Sequence, residues 1–410
     1  MMLGRRQLPV ASPVSFPSLA GAVWPALALR AAPLAALAAE LRGHFQARQL
    51  ALTDSGTSAL VLALRLACGR GGTVAFPGYA CVDLAAAARY ADVRVRLYDL
   101  DPETLSPDLA SLEGALRRGV DAVVVAPLYG FPQDMPAVAE LASRYCVTVI
   151  EDAAQGAGAT LHGRPVGSFG MLTVLSFGRG KGLSGGRGGA LLSRDARFDD
   201  RVAHLGREIG RPRPGWRELA TVGAQWALGR PALYGIPSAI PGLRLGEMVY
   251  HPAHEPRSLT AASAALVTRA LARAPRELSV RRRTAAALAM AAEEGADVRA
   301  PRPIEGAVAG YLRFPVVDSG GRSERHDLGI LRGYPRTLHE QDELRPVLLP
   351  GEPETPGAVE LRRGLFTLPT HSMLSRDDIE RLGEWLRVPI KMLIPGARPR
   401  RGAEDTCPSM

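Results

Sequence analysis

An α/β fold on a mostly parallel sheet, followed by a smaller α+β domain, is what this sequence predicts. Three observations carry that prediction. The chain has 410 residues, too many for one compact core and suited to two domains. From about residue 50, short β-rich runs alternate with Ala/Leu-rich helical stretches, the pattern of a parallel sheet with helices on both faces. After about residue 210 that regularity stops and a different texture begins.

Taken in order, Arg5-Arg6 and an apolar stretch from Pro13 to Leu29 come first. Pro17 and Pro25 interrupt that stretch, so it reads as an arm packed on the body rather than a secretory signal. No run is long and apolar enough for a transmembrane helix. Strands are expected at Thr73–Phe76, Val93–Tyr98, Ala122–Ala126, Val147–Ile150, Leu172–Ser176 and Gly189–Leu192. Helices are expected at Ser58–Ala67, Val82–Tyr90, Asp108–Arg117 and Met135–Arg144. Residues 210–257 are rich in proline, hold Trp216 and Trp226, and show no clear period. They read as a long connection, a lid or an interface arm. Helix returns at Leu259–Ala274 and Arg276–Glu294, a strand at Gly310–Val317, and a last helix at Arg376–Leu386. Ser375 before that helix and Asp377 and Asp378 in its first turn form an N-terminal signal. The arm and large domain thus occupy 1–250, the small domain 251–394 and a disordered tail 395–410.

Composition narrows the function. With 46% hydrophobic residues and mean hydropathy near zero, the chain is neither disordered nor membrane-built. Its four cysteines, Cys68, Cys81, Cys146 and Cys407, are too scattered for a disulfide framework or a zinc site. They suit a reducing, cytoplasmic setting. The net charge of +9 comes from arginines spread along the chain, so a solvated surface is expected and not a nucleic-acid face. Of the 50 basic side chains, only Lys181 and Lys391 are lysines. Arginine serves wherever only a positive charge is wanted, but guanidinium cannot act as a deprotonated amine. Lys391 lies near the tail. Lys181 lies in a glycine-crowded loop and is the candidate for amine chemistry.

Ligands of such sheets sit at the carboxyl ends of the strands, and four elements fall there or at a helix start. Asp54-Ser-Gly-Thr-Ser58 opens a helix, whose N–H groups and hydroxyls suit a phosphate. Glu151-Asp-Ala-Ala-Gln155 follows an apolar strand. Ser176 ends the next strand, and Lys181 comes five residues later. Pyridoxal 5'-phosphate wants all of these at once. Its aldehyde needs a lysine amine, its ring nitrogen a carboxylate, and its phosphate a helix N-terminus with hydroxyls.

At these residues the chain resembles the DegT/DnrJ/StrS family of fold-type I, PLP-dependent sugar aminotransferases. The stretches that carry the resemblance are Ser55-Gly-Thr-Ser-Ala-Leu60, Pro127-Leu-Tyr-Gly-Phe-Pro-Gln-Asp-Met135, Ile150-Glu-Asp-Ala-Ala-Gln155, Ser176-Phe…Lys181 and Leu368-Pro-Thr-His371. They span about residues 45 to 390. The resemblance implies that Lys181 carries the cofactor as a Schiff base and is the catalytic residue. It pairs Asp152 with the ring nitrogen and brings Gln155 to the phenolic oxygen. It gives the phosphate to Thr57, Ser58 and Ser176. It also implies a homodimer that moves an amino group from an amino acid, glutamate or glutamine, to a keto sugar, with a nucleotide-linked sugar as the expected acceptor.

Two departures stand out. Cys81, in Pro77-Gly-Tyr-Ala-Cys81, takes the place of an aromatic residue that usually covers the cofactor face. The Gly-Tyr-Asn-x-Arg segment, whose asparagine reaches the neighbouring subunit's phosphate, is not recognisable. His371 is read either as satisfying its loop or as touching substrate, and Tyr129 as pocket lining or core. An anionic acceptor would be gripped by arginines. Arg187 is the first choice, flanked by glycines, with Arg179, Arg213 and Arg257 as further candidates. Lys181 argues against the family's dehydrating branch, where histidine replaces the lysine. A non-sugar ketone as acceptor, or a binding protein without turnover, are the alternatives.

Overall fold

A computed structural model describes residues 5–388 except 12–13, 28–30, 211–212, 241 and 243–248. The strands are β1 (Gln49–Thr53), β2 (Thr73–Pro77), β3 (Arg94–Tyr98), β4 (Ala122–Val125), β5 (Thr148–Asp152), β6 (Thr160–Leu161), β7 (Arg164–Pro165), β8 (Leu172–Ser176), β9 (Gly189–Ser193), β10 (Val298–Arg299), β11 (Ala307–Val308), β12 (Phe314–Asp318), β13 (Leu331–Arg332) and β14 (Leu365–Leu368). The helices are α1 (Phe16–Leu27), α2 (Ala32–Phe45), α3 (Gly56–Ala67), α4 (Asp83–Ala91), α5 (Leu109–Arg117), α6 (Met135–Arg144), α7 (Ala196–Glu208), α8 (Trp216–Leu228), α9 (Gly235–Ser238), α10 (Ala261–Glu293), α11 (Pro356–Gly364) and α12 (Arg376–Arg387).

Seven strands form the main sheet in the order β1-β9-β8-β5-β4-β2-β3. The pairs β2–β3, β2–β4, β4–β5 and β5–β8 are parallel, and β9 runs antiparallel to both its neighbours. The central strands are buried along their length, as Ala122–Val125 and Leu172–Leu175 show. Apolar side chains on both faces join separate cores, one under α3 and α4, the other under α5 and α6. That double burial is why these strands read as continuous apolar runs. A four-stranded sheet, β10-β12-β14-β13, packs against the second half of α10 and α12. Strands β6, β7 and β11 make a third, small sheet.

Several sequence expectations are corrected. The stretch Leu259–Glu294 is one helix of 33 residues, α10, with Pro275 inside it. Its first half is fastened on both sides, so the proline's missing hydrogen bond does not end it. Ala261, Ala264 and Val267 join the core beside β1, while Leu288 and Ala292 join the core under the four-stranded sheet. The arm contains helix α1 despite its prolines, because Leu19, Ala22 and Ala26 are buried, with Leu19 and Ala22 packed against Val222 and Leu266. The Pro-rich stretch is likewise partly helical, as α8 and α9. Strand β12 begins only at Phe314, since Tyr311 has a left-handed φ of 43°. Edge strand β1, strand β14 and helices α2, α7 and α11 are not among the elements expected from sequence. The tail 395–410 lies outside the described residues. Among the described residues, no helix is long and apolar enough to cross a membrane.

Candidate active site

The carboxyl ends of β1, β5 and β8 meet at the N-terminus of α3. Ser55 caps that helix in extended backbone, its Oγ accepting from the Ser58 N–H at 2.9 Å. The Ser58 hydroxyl donates to Asp54 Oδ1 at 2.8 Å, and Ser55 Oγ donates to Ser58 Oγ at 2.9 Å. Ser58 is therefore occupied within the cap. Thr57, one residue earlier in the first turn, is only partly buried, and its hydroxyl has no hydrogen-bond partner among the described residues. Gly56 sits so close to Ser176 that a Cβ there would lie 2.8 Å from the Ser176 Cβ and 3.0 Å from its Oγ. The result is a cradle of N–H groups, the Thr57 hydroxyl and the Ser176 hydroxyl, at the positive end of the α3 dipole. A phosphate fits it.

Strand periodicity separates the two adjacent carboxylates of β5. Glu151 is fully buried and accepts from the N–H groups of Gly167 (2.6 Å), Phe169 (2.8 Å) and Gly170 (3.0 Å). It holds a turn together. Asp152 faces the other way and accepts from the Ala154 N–H at 3.2 Å. Burial pushes the Asp152 carboxyl above the ordinary carboxylate range, and the positive charge of Lys181 and that N–H pull it back. A protonated ring nitrogen would add the same kind of pull. Lys181 itself is partly buried in the loop after β8.

Cys81 is also within electrostatic reach of Lys181. Burial raises its thiol, and the nearby Asp83 carboxylate raises it further. Cys81 is thus a protonated, uncharged thiol on the wall and not a nucleophile. Gln155 is held from both sides: its Oε1 accepts from the Tyr129 N–H at 3.2 Å, and its Nε2 donates to the Tyr334 hydroxyl at 2.6 Å. Tyr334 is surrounded by Tyr79 and Tyr129, with ring centroids 5.3 and 6.3 Å away. The Tyr129 hydroxyl is buried with no hydrogen bond of standard geometry, and burial pushes it up to about 12.

The remaining sequence candidates fall elsewhere. His371 is buried, and its Nε2 lies 2.9 Å from the Leu8 carbonyl oxygen. A carbonyl only accepts, so Nε2 carries the hydrogen and Nδ1 is left as a buried acceptor without a partner. That gives His371 a structural task, holding the N-terminal arm. Arg187 is exposed between Gly186 and Gly188, and among the described residues no hydrogen bond or ion pair ties its side chain to the site. Arg213 bridges to Thr260, and the Arg257 backbone pairs with Asp54. Lys391 is outside the described residues.

Sequence reasoning missed Asp83, Tyr334 and Arg313, whose charge acts on Tyr129 and Tyr334. Arg313 left one signal, a lone charge at the head of an otherwise apolar strand. Tyr334 left none, because only the tertiary fold brings its loop to Gln155.

The chain is 39% identical over 176 residues to an L-glutamine:2-deoxy-scyllo-inosose aminotransferase of Streptomyces lividus, covering 41% of each chain. It is 37% identical over 153 residues to a UDP-N-acetyl-3-dehydro-alpha-D-glucosamine 3-aminotransferase of Acidithiobacillus ferrooxidans, covering 37% of this chain and 42% of that one. The match thus spans about two-fifths of the length of these curated relatives. The fold is similar to that of the aminotransferase TlmJ from Streptoalloteichus hindustanus, with a TM-score of 0.73 and 24% identity over 94% of this chain and 99% of that one. The model of one family matches residues 32–387, from α2 through the cradle and Lys181 to the end of α12: the chain belongs to the DegT/DnrJ/EryC1/StrS aminotransferase family.

Proposed function

We propose that this protein is a pyridoxal-phosphate-dependent aminotransferase that moves an amino group from glutamine or glutamate to a keto sugar or keto-cyclitol. One observation carries the reading. Lys181, the only lysine among the described residues, lies within electrostatic reach of Asp152, and both follow strands that end beside the α3 cradle. When bound, pyridoxal phosphate supplies an aldehyde for amine exchange and a ring that withdraws electrons from the carbon losing its proton.

The protein's own residues do the rest. The α3 N–H groups, Thr57 and Ser176 hold the phosphate. Asp152 keeps a proton on the ring nitrogen, and its own desolvation strengthens that pairing. Gln155, fixed by Tyr129 and Tyr334, would hold the cofactor's phenolic oxygen. The Lys181 amine would be the base that takes the proton from the donor's α-carbon and, once protonated, the acid that gives it back. Cys81 covers part of the site as an uncharged side chain. With the acceptor, the same groups act in reverse order.

A homodimer is part of the proposal. Phe16, Trp24 and Leu27 on α1 and Trp216 on α8 are more than half exposed, and apolar side chains of this size need cover. A cytoplasmic site of action is supported by free thiols at Cys68, Cys81 and Cys146.

The test begins with the purified protein. It should be yellow, and borohydride should fix the cofactor on Lys181, read by peptide mass. Glutamine or glutamate should bleach the visible band, and 2-deoxy-scyllo-inosose or a UDP-linked 3-keto sugar should restore it. Label on Lys391, or no visible band, would overturn the reading.

A further inference from the structure

Lys181 stands between two glycines, Gly180 and Gly182, and each meets a different neighbour. Gly180 takes a left-handed φ of 70°, and a Cβ there would lie 2.8 Å from the Cγ1 of Val10. A Cβ on Gly182 would collide with the Cβ of Ala157 and lie 3.2 Å from Nη1 of Arg281. Val10 belongs to the N-terminal segment, Ala157 to the turn two residues after Gln155, and Arg281 to the second half of α10. Glycine lets the chain pass that close and also lets it swing, so what fixes Lys181 comes from outside its loop.

The two outside contacts belong to one device. Arg281 is only 3% exposed, and its Nη2 donates at 3.4 Å to the carbonyl of Ala11, the residue after Val10. One guanidinium thus rests on Gly182 with one nitrogen and holds the N-terminal segment with another. The residues before Val10 are fastened in turn. The Pro9 carbonyl accepts from Arg313 Nε at 3.2 Å, and the Leu8 carbonyl is met by His371. The Gln7 N–H donates to the Asp327 carbonyl at 2.9 Å. The Arg6 N–H donates to the Pro231 carbonyl at 3.0 Å, and Arg6 Nη1 to Ser238 Oγ at 3.3 Å. Residues 6–11 form no helix or strand, and such a terminus ordinarily frays unless it is tied down. Arg282, next on α10, serves the turn after Gln155: its Nη2 donates to the Gly158 carbonyl at 3.1 Å, and its Nε to the Ala309 carbonyl at 3.1 Å.

Burying a guanidinium costs free energy unless its donors are used and its charge is paired. Arg281 Nε has no hydrogen-bond partner, and among the described residues no acid forms an ion pair with Arg281. An apolar side chain would seal this stretch of α10 at less cost. It could not make a directed bond to the Ala11 carbonyl while resting on Gly182, which a planar fork does. An amine that must reach one particular carbon is sensitive to place, and a misplacement of about 1 Å costs on the order of 10²-fold in rate. We propose that Val10 and Arg281 are positioning residues for Lys181, a clamp in which Arg281 seats the N-terminal segment through Ala11, Val10 presses on Gly180, and the same guanidinium backs Gly182. This rests on the aminotransferase reading for the task of Lys181 and adds what holds that residue in place.

The test uses the full-length protein in two forms. In the cofactor-free form, hydrogen exchange of the peptide spanning 177–185 is read by mass. Val10→Gly and Arg281→Met should each speed it by about 10-fold and leave peptides of β2 to β5 unchanged. Val10→Ile keeps the methyl that meets Gly180 and should stay within about twofold of the wild type. In the cofactor-loaded form, the rate of bleaching at saturating glutamine or glutamate should fall by about 10- to 100-fold in the first two variants, with the half-saturating donor concentration changed less than about twofold. Should Arg281→Met fail to fold, Val10→Gly decides alone. Faster exchange spread evenly over all peptides would make the segment a structural brace and overturn the clamp. Faster loop exchange with an unchanged bleaching rate would overturn it too, since Lys181 would then need no such support. If the wild type bleaches and the variants match it in both readouts, the clamp is wrong and the aminotransferase reading stands. If the loop exchange rises as expected but no donor bleaches even the wild type, the reading fails while the clamp on the loop survives.

Discussion

The rim of the main sheet and the wall beside it are built on different plans. The rim is local. Asp54–Ser58, Asp152–Gln155 and Ser176–Lys181 each follow a strand and need only a few neighbouring residues to take shape. The wall is assembled from Arg6–Val10, Ser238, Arg313 and Tyr334, segments far apart in the chain and tied by backbone carbonyls. The difference teaches where each property is encoded. On the proposed reading the chemistry rests on short local units, whereas the wall beside them depends on how distant segments are fastened.

Four substitutions sharpen or break that contrast. Lys181→Ala should have the largest effect, a loss of at least about 10³-fold in turnover with the visible band gone. Its unfolding midpoint should barely move, because the rim carries chemistry and not the core. Asp152→Asn comes next. The cofactor should still bind, but proton removal from the donor should slow by about 10²- to 10³-fold, read as the rate of bleaching. A near-normal rate would remove Asp152 from the rim's chemistry.

The third tests the fastening of the wall. Burial lowers His371 to about 4, against about 6.5 in an unfolded chain. Its neutral form is the folded one, so this stability is intact above about pH 6.5 and is lost as pH falls toward 4. The maximum loss is about 3 kcal/mol. His371→Gln should flatten the denaturation midpoint across that window, and an unchanged slope would show that the charge is accommodated. The smallest effect is expected at Glu151→Gln. An amide cannot accept all three N–H groups that Glu151 satisfies, so the fold should lose about 2 kcal/mol. If bleaching by the donor slowed as it does for Asp152→Asn, the division of labour along β5 would be wrong.

Legibility follows the same line. The parallel strands β2 to β5 and β8 were readable because both faces are buried and the runs are continuously apolar. That the α3 N-terminus, Asp152, Gln155 and Lys181 lie at or just after strand ends was readable because each sits next to such a run. Thr57, Ser58 and Ser176 show how far that goes. The sequence picks out all three hydroxyls, but only the fold shows that Ser58 is tied to Asp54 and Ser55, whereas Thr57 is unpartnered. Helix α1 was hidden by Pro17 and Pro25, and α8 by a run with only Val222 buried. Arg313 and Tyr334 could not be placed, since nothing near them in sequence says which loop they will face. The long α10 was split at Pro275 because a local rule was applied where packing at both ends overrides it.

The arm has a consequence for how the molecule is made. His371, the partner of Leu8, lies 363 positions further along the chain. Arg5 waits equally for Asp378, at a separation of 373. Contacts this distant form late, after the domains that frame them. The rim can therefore be complete while the wall is still open, and refolding should recover the yellow colour before it recovers the full rate of bleaching by the donor. A bulky fusion placed just ahead of Arg5 should lengthen that gap, slowing the second phase and leaving the first unchanged.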